Sequence, residues 1–304
     1  MTCIRCSRDS IVDLSYGGGR LCGDCFTRLF EKRVKKTIRK NRLLSGDDKL
    51  LVALSGGKDS LTVLKILHEI VEPNPNTSIE ALTVDEGIGG CSSDRLSASQ
   101  RVCGDLSIPH HVVSFMDYFG FTLDEFLEND GLAANPCTYC GVLRRRIVNN
   151  KARELGSTKV VTGHNLDDEV QAALMNFARG EVERIARLGP RVGVVDIEGF
   201  VPRIKPLREV LEDEIRLYAR LNEFPVAESG CPHNKGAYRK SMAEVIDLLE
   251  ERHSGSKYQM LASVDKLSAY LAGSIPGEAV GSCSVCGEPA SGKKCRVCLI
   301  LEGS

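Results

Sequence analysis

A chain of 304 residues with 42% apolar and 27% charged residues can bury a full core, which excludes an intrinsically disordered protein. A net charge of −1 excludes a uniformly basic nucleic-acid binder, and no apolar run approaches the roughly 20 residues of a membrane span. The N-terminus has the features of neither a signal peptide nor a transit peptide, so a cytoplasmic protein without membrane contact is expected. In that compartment thirteen cysteines point to metal sites rather than disulfides.

The cysteine pattern starts at once. Cys3-x2-Cys6 and Cys22-x2-Cys25 are fifteen residues apart. Two such knuckles supply four thiolates for a structural Zn²⁺, with Tyr16–Arg20 as the turn of a ribbon hairpin, so residues 1–27 are predicted to form a zinc ribbon. With all four positions filled by protein, no catalysis is expected there. Phe26, Leu29, Phe30, Val34 and Ile38 then recur at helical spacing across a predicted helix at 26–44. Lys32, Arg33, Lys35, Lys36, Arg39 and Lys40 lie off that stripe, which makes 28–48 a basic linker helix broken at Ser45–Asp48.

An apolar strand pattern through Ala53 and Leu54 runs into Ser55, Gly56, Gly57, Lys58, Asp59 and Ser60, and a helix to Val71 follows. Glycines at a strand-to-helix turn let backbone N–H groups close around phosphate, while the helix start and Lys58 add positive charge. The spacing is not that of a Walker P-loop. Strand Ile79–Val84, helix 93–106 and strand His110–Phe115 continue the alternation, so residues 49–272 are predicted to form a doubly wound parallel sheet. His110 and His111 have no partner motif and are read as structural.

After a helix and loop at 121–136, Cys137-x2-Cys140 opens the helix Val142–Leu155. On its own this pair fits a redox dithiol, half a zinc site or part of an iron–sulfur site. Strand Lys159–Thr162 runs into Gly163, His164 and the acidic helix start Asp167–Glu169. Here Asp168 suits Mg²⁺ on phosphates, and N-capping is compatible with that role. A helix from Val170 to Arg179, an irregular stretch to Pro206 and a helix at 209–222 lead to Cys231-Pro232, the natural third partner of Cys137 and Cys140. Helices at 239–253 and 257–271, a linker at Gly273–Gly277 and a compact second zinc ribbon at 278–304, with Cys283, Cys286, Cys295 and Cys298, complete the chain. Basic groups at Arg144–Arg146, Arg203, Lys205 and Arg208, beside a nucleotide site, favour a polyanionic substrate.

Ser55–Ser60 resembles the pyrophosphate loop of the N-type ATP pyrophosphatases, which cleave ATP between its α and β phosphates. Taken with the Cys137/Cys140 pair, Gly163–Asp168, Cys231-Pro232 and a ribbon at each end, the whole chain resembles the tRNA two-thiouridine synthetase family. The resemblance implies a Rossmann-like N-type fold, with ATP held by Ala53, Leu54, the loop residues, Gly163 and Asp168, and its adenine read by the backbone at Val84. It implies a [4Fe–4S] cluster on Cys137, Cys140 and Cys231 with one iron open to hydrosulfide. Cys91 and Cys103 are then spare, since they fall on a different βα segment. Where some relatives carry a catalytic lysine, this chain has Arg144, which can stabilise charge but cannot transfer a proton. The implied reaction adenylates the uridine C2 oxygen, releases pyrophosphate and lets sulfur displace AMP, with Asp168 also a candidate for direct assistance. Expected partners are tRNA, a sulfide or thiocarboxylated-carrier sulfur donor, and a second copy in a homodimer. Alternatives are the same reaction through a cysteine persulfide without a cluster, tRNA 2-thiocytidine synthesis, an amide-forming relative, and a zinc-ribbon tRNA adaptor without activity.

Overall fold

The structure is a computed structural model that describes residues 1–14, 18–128, 135–192, 199–227, 230–234, 238–272, 274 and 280–303. Strands β1 (Val12–Leu14) and β2 (Gly19–Leu21) pair antiparallel as the ribbon hairpin, and helix α1 (Gly23–Lys40) starts directly from Cys22. The expected tip of that hairpin at residues 15–17 lies outside the described residues. Helix α1 stops at Lys40 rather than running to 44, because Arg42 takes a positive φ of 48° and turns the chain.

The central sheet has the order β5-β4-β3-β6-β8-β7. It is built from β3 (Lys49–Leu54), β4 (Ser78–Asp85), β5 (His110–Ser114), β6 (Lys159–Val161), β8 (Arg203–Ile204) and β7 (Arg191–Val192). All pairings are parallel except β7 with β8. Chain order reverses between β3 and β6, the crevice where open α/β sheets bind ligands. The crossovers are α2 (Lys58–Val71), α3 (Ser92–Asp105), and then α4 (Phe115–Phe119), α5 (Leu123–Leu127) and α6 (Pro136–Glu154). Beyond β6 come α7 (Leu166–Ala178), α8 (Val182–Ala186), α9 (Glu212–Leu221), a 3-10 turn at Pro232–Asn234, α10 (Tyr238–Arg252) and α11 (Ser256–Ala272). The stretch read as irregular thus holds α8, β7 and β8, elements too short to carry a periodic signal. Strands β9 (Gly281–Ser282) and β10 (Pro289–Ala290) and helix α12 (Arg296–Glu302) form the second ribbon. Of the linker expected at Gly273–Gly277, only Ser274 is among the described residues.

Alternation along β3 divides the core in two. Leu50, Val52 and Leu54 face one side with α1, α2 and α9, while Leu51 faces the other with Leu143 and Ile147 of α6. On the first side Phe26, Phe30, Val34 and Ile38 bury one stripe of α1, worth about 1.5–3 kcal/mol for each large side chain. Phe30 stacks on Tyr218 of α9 at 4.6 Å between ring centroids, and Arg33 pairs with the buried Glu214. Cys3, Cys22 and Cys25 belong to this core, whereas Cys283, Cys295 and Cys298 belong to the other. The two ribbons therefore dock on opposite faces of one sheet. His110 and His111 are tied to Thr83 and Glu80 of β4, a structural use.

Candidate active site

Strand β3 ends at Leu54, and the turn through Ser55, Gly56 and Gly57 delivers the start of α2. Gly56 has φ +69°, and a Cβ there would lie 2.2 Å from the backbone oxygen of Arg95 on α3, so only glycine fits. The Ser55 N–H donates to Ser60 Oγ (3.2 Å), whose hydroxyl donates to the Gly57 carbonyl (3.0 Å), which fixes the loop from within. Lys58 reaches Asp59 (3.0 Å) and Glu212 of α9 (2.8 Å). Burial disfavours its charge, but these two carboxylates more than offset that and hold it above the usual lysine value.

The end of β6 closes on this loop. A Cβ at Gly163 would lie 2.9 Å from Asp59 C and Ser60 N, so the two loops touch backbone to backbone. Asn165 donates to Asp59 Oδ1 (2.9 Å) and caps α7, where it forms a reciprocal box with Asp168. Asp168 is pushed up to about 6, chiefly by burial, with Asp59 and Glu212 adding to the shift and Arg239 of α10 opposing it. Arg239 holds Asp168 Oδ1 at 3.1 Å. The pairing of β3 with β4 ends at Leu54↔Thr83, so Val84 lies one residue beyond it at the same sheet end; Ala53 pairs with Leu82.

The cysteine pair lies inside helix α6 rather than ahead of it. Asn135 caps the helix by accepting from the Cys137 N–H (2.9 Å), and Pro136 takes the first turn. Tyr139, between the cysteines, is buried against Phe126 with ring centroids 5.5 Å apart and seats this turn. The α6 helix packs against the 3-10 turn that follows Cys231. His233 in that turn bonds Asp124 (2.6 Å), which also accepts from the Gly89 N–H (2.7 Å). Burial pushes the Cys140 thiol up to about 11 against the pull of Arg144, and the thiols of Cys231 and Cys137 lie close enough to add to that shift.

Among the described residues only the two terminal Cys₄ sets bring their ligand atoms within 4.8 Å of one another. The central three stand farther apart. Cys140 and Cys231 share one core where α6 meets the 3-10 turn, and with Cys137 they form a thiolate donor set of the kind that holds an iron–sulfur cluster. The terminal sets fit a single tetrahedral ion: Cys6 and Cys22 Sγ are 3.4 Å apart, and Cys286 and Cys295 are 3.7 Å apart. Backbone N–H groups, led by those of Arg8 and Cys295, pull the Cys6 and Cys283 thiols down towards the thiolate.

Several sequence expectations change here. Cys91 is fully buried at the start of α3 and packs in one core with Cys140 and Cys231, so its separate βα segment does not keep it away from them. Cys103 belongs to the other core. Lys205 and Arg208 are not free for a polyanion: Lys205 pairs with Glu169 (2.6 Å) and Arg208 with Asp265 (2.6 Å). Arg146 turns away to donate to Cys295 Sγ (2.9 Å) in the second ribbon. Arg144 pairs with Glu86 at 3.1 Å, which with the Cys140 and Cys137 thiols holds it above the usual arginine value although burial opposes its charge.

Lys205, Arg239, Arg144 and Arg203 all act on His164, which is exposed and bonds Thr162 Oγ1 at 2.8 Å. Partial desolvation and then these charges lower its pKa from the usual histidine value. Arg144 also acts on Cys140, and His164 follows Gly163, which touches Asp59 and Ser60, so this cationic cluster lies between the loop and the cysteines. Glu212 and Arg239 were missed from sequence because each lies far along the chain from its partner; the acidic start of α9 was the only visible hint.

The PP-loop domain family matches residues 26–229. The tRNA 2-thiolation protein NcsA of Haloferax volcanii is 37% identical over 99% of this chain and 98% of its own. The chain belongs to the tRNA 2-thiolation proteins of the PP-loop family. This PP-loop protein is also 32% identical to a tRNA-5-methyluridine(54) 2-sulfurtransferase of Pyrococcus horikoshii, over 98% of this chain and 93% of that one. The solved U34-tRNA thiolase NcsA from Methanococcus maripaludis, with its [4Fe-4S] cluster, superposes with a TM-score of 0.86 at 33% identity. That similarity covers 99% of this chain and 96% of the other. Among the described residues no helix is long and apolar enough to cross a membrane.

Proposed function

We propose that this protein is an ATP-dependent tRNA thiolase that forms 2-thiouridine in the cytoplasm. The observation that carries this reading is that Gly163 touches the Ser55–Ser60 loop at Asp59 and Ser60, while the next residue, His164, feels Arg144, which also acts on Cys140. The uracil C2 oxygen is a poor leaving group. Its attack on the α-phosphate of ATP forms an O–P bond and expels pyrophosphate; a sulfur nucleophile then adds at C2 and AMP leaves.

The N–H groups of Ser55–Ser60, together with Lys58, take the charge that builds on the departing pyrophosphate. Asp59 and Asp168 are the carboxylates that would hold Mg²⁺, which would offset phosphate charge, with Arg239 then leaving Asp168; Gly163 leaves room for the nucleotide. The backbone at Val84 reads the adenine edge, with Ala53 and Leu54 forming the floor. Arg144 stabilises charge on the activated base without moving a proton. Cys137, Cys140 and Cys231 would hold a [4Fe–4S] cluster by three thiolates, and its chemistry there would be to bind and deliver sulfide. Zn²⁺ in each terminal Cys₄ set is structural.

The test is substitution of Cys137, Cys140 or Cys231 by Ala in anaerobically prepared protein. Iron and visible absorbance are expected to be lost and thiolation to stop, while zinc content and melting temperature persist. Full thiolation by iron-free variants would remove the cluster from the account and leave the persulfide route.

A further inference from the structure

Six cationic side chains act on His164 or on one another, and four of them are paired with carboxylates. Arg144 pairs with Glu86 (3.1 Å), Arg184 with Glu181 (3.0 Å), Lys205 with Glu169 (2.6 Å) and Arg239 with Asp168 (3.1 Å). Arg145 and Arg203 differ. Neither makes an ion pair or a side-chain hydrogen bond among the described residues; Arg203 is half-buried in register with Val160, which faces α6, and the exposed Arg145 of α6 is near enough to act on it. They repel each other. Burial and then Arg145 bring Arg203 down to about 10, and burial and then Arg144 lower Arg145 as well. Two neighbouring guanidiniums with no carboxylate among the described residues present paired donors to an anion.

Their place narrows the choice of anion. Arg203 lies opposite Val160 in the β6 register, on the strand neighbouring the one that runs into Gly163. Arg145 is five residues after Cys140, and its guanidinium folds back so far that a Cβ on Gly141 would lie 3.3 Å from Nη1. An anion held by the pair therefore sits beside the cysteine site, while the phosphates of ATP have their own cradle at Lys58. Guanidinium forks match phosphate oxygens in pairs.

We propose that Arg145 and Arg203 grip a backbone phosphate of the RNA, next to the nucleotide presented to Cys140. This rests on the reading of the protein as a tRNA thiolase. The experiment is fluorescence anisotropy of an unmodified tRNA transcript across a salt series, for the wild-type protein, Arg145→Ala, Arg203→Ala and Arg203→Gln, with ATP affinity measured alongside. Each variant should bind tRNA about tenfold more weakly near 0.1 M salt, with the slope of log K against log salt reduced by about one. ATP affinity should be unchanged, and Arg203→Gln, which keeps a polar stem, should melt no lower than wild type. Variants that keep wild-type affinity and slope would overturn the phosphate site and leave the thiolase reading standing, as would variants that lose ATP affinity but keep tRNA. A wild-type protein that does not bind tRNA would overturn both.

Discussion

Asp168 shows how one residue can serve the site at the expense of the fold. Its carboxyl titrates near about 6 because burial disfavours the charged form more than Arg239 supports it. A raised carboxyl pKa contributes stability that is present below the unfolded value and lost as pH rises through the folded one. Asp168→Asn is therefore expected to melt at the same temperature or higher at about pH 8, with any advantage shrinking as pH falls below about 6 and gone only near the unfolded value of 3.8. ATP-dependent turnover should fall by about a hundredfold or more, since a charge facing the phosphates is gone. A lower melting temperature at the higher pH would contradict this. Residues such as Ser55–Ser60 and Asp168 were legible in sequence because their chemistry is contiguous and bounded by a strand and a helix. Arg239 and Glu212 were not, since 71 and 154 residues separate them from Asp168 and Lys58 and only folding brings them near.

At the scale of elements, the strand–loop–helix units β3–α2 and β6–α7 meet at the point where the sheet reverses its order, and Gly163 is where their backbones come closest beyond the strands. Its backbone does not need a positive φ, so the constraint is one of space alone. Gly163→Ala must push the β6 loop off Asp59 and Ser60, at a cost of about 1–3 kcal/mol from overpacking. Calorimetry should then show ATP binding weakened by at least about tenfold with the cysteine site still loaded with iron; unchanged ATP affinity would mean the loops do not bind together. The long elements were readable from apolar period because each buries a full stripe, as α1 and α2 do. Short α8, β7 and β8 bury too little for any period to show. The start of α6 was placed late, since Cys137-Thr138-Tyr139-Cys140 looks like a knuckle until Asn135 and Pro136 are recognised as cap and first turn.

Across the whole molecule, two ribbons clamp opposite faces of one sheet, and the second holds the helix that carries the central cysteines. Arg146 of α6 donates to Cys286 and Cys295, Arg153 of the same helix pairs with Glu288 (3.0 Å), and Ile300 of α12 packs with Tyr139. Cys295→Ser should halve the zinc content, lower the melting temperature and reduce iron loading at the central site, all measurable by metal analysis and a thermal melt. Retention of full iron loading after loss of that zinc would show the ribbon to be independent of α6. The ribbons were plain in the cysteine spacing, but spacing carries no information on which face each one covers.

The central claim is that the energy of the α–β bond of ATP is spent on a uridine that then receives sulfur. The direct measurement incubates the anaerobic, iron-loaded protein with ATP, sulfide and a tRNA transcript, then quantifies nucleosides by mass spectrometry and pyrophosphate in the same sample. The account predicts 2-thiouridine and pyrophosphate appearing together, with AMP as the other product. Formation of ADP, or pyrophosphate release with no thiolated uridine, would contradict it.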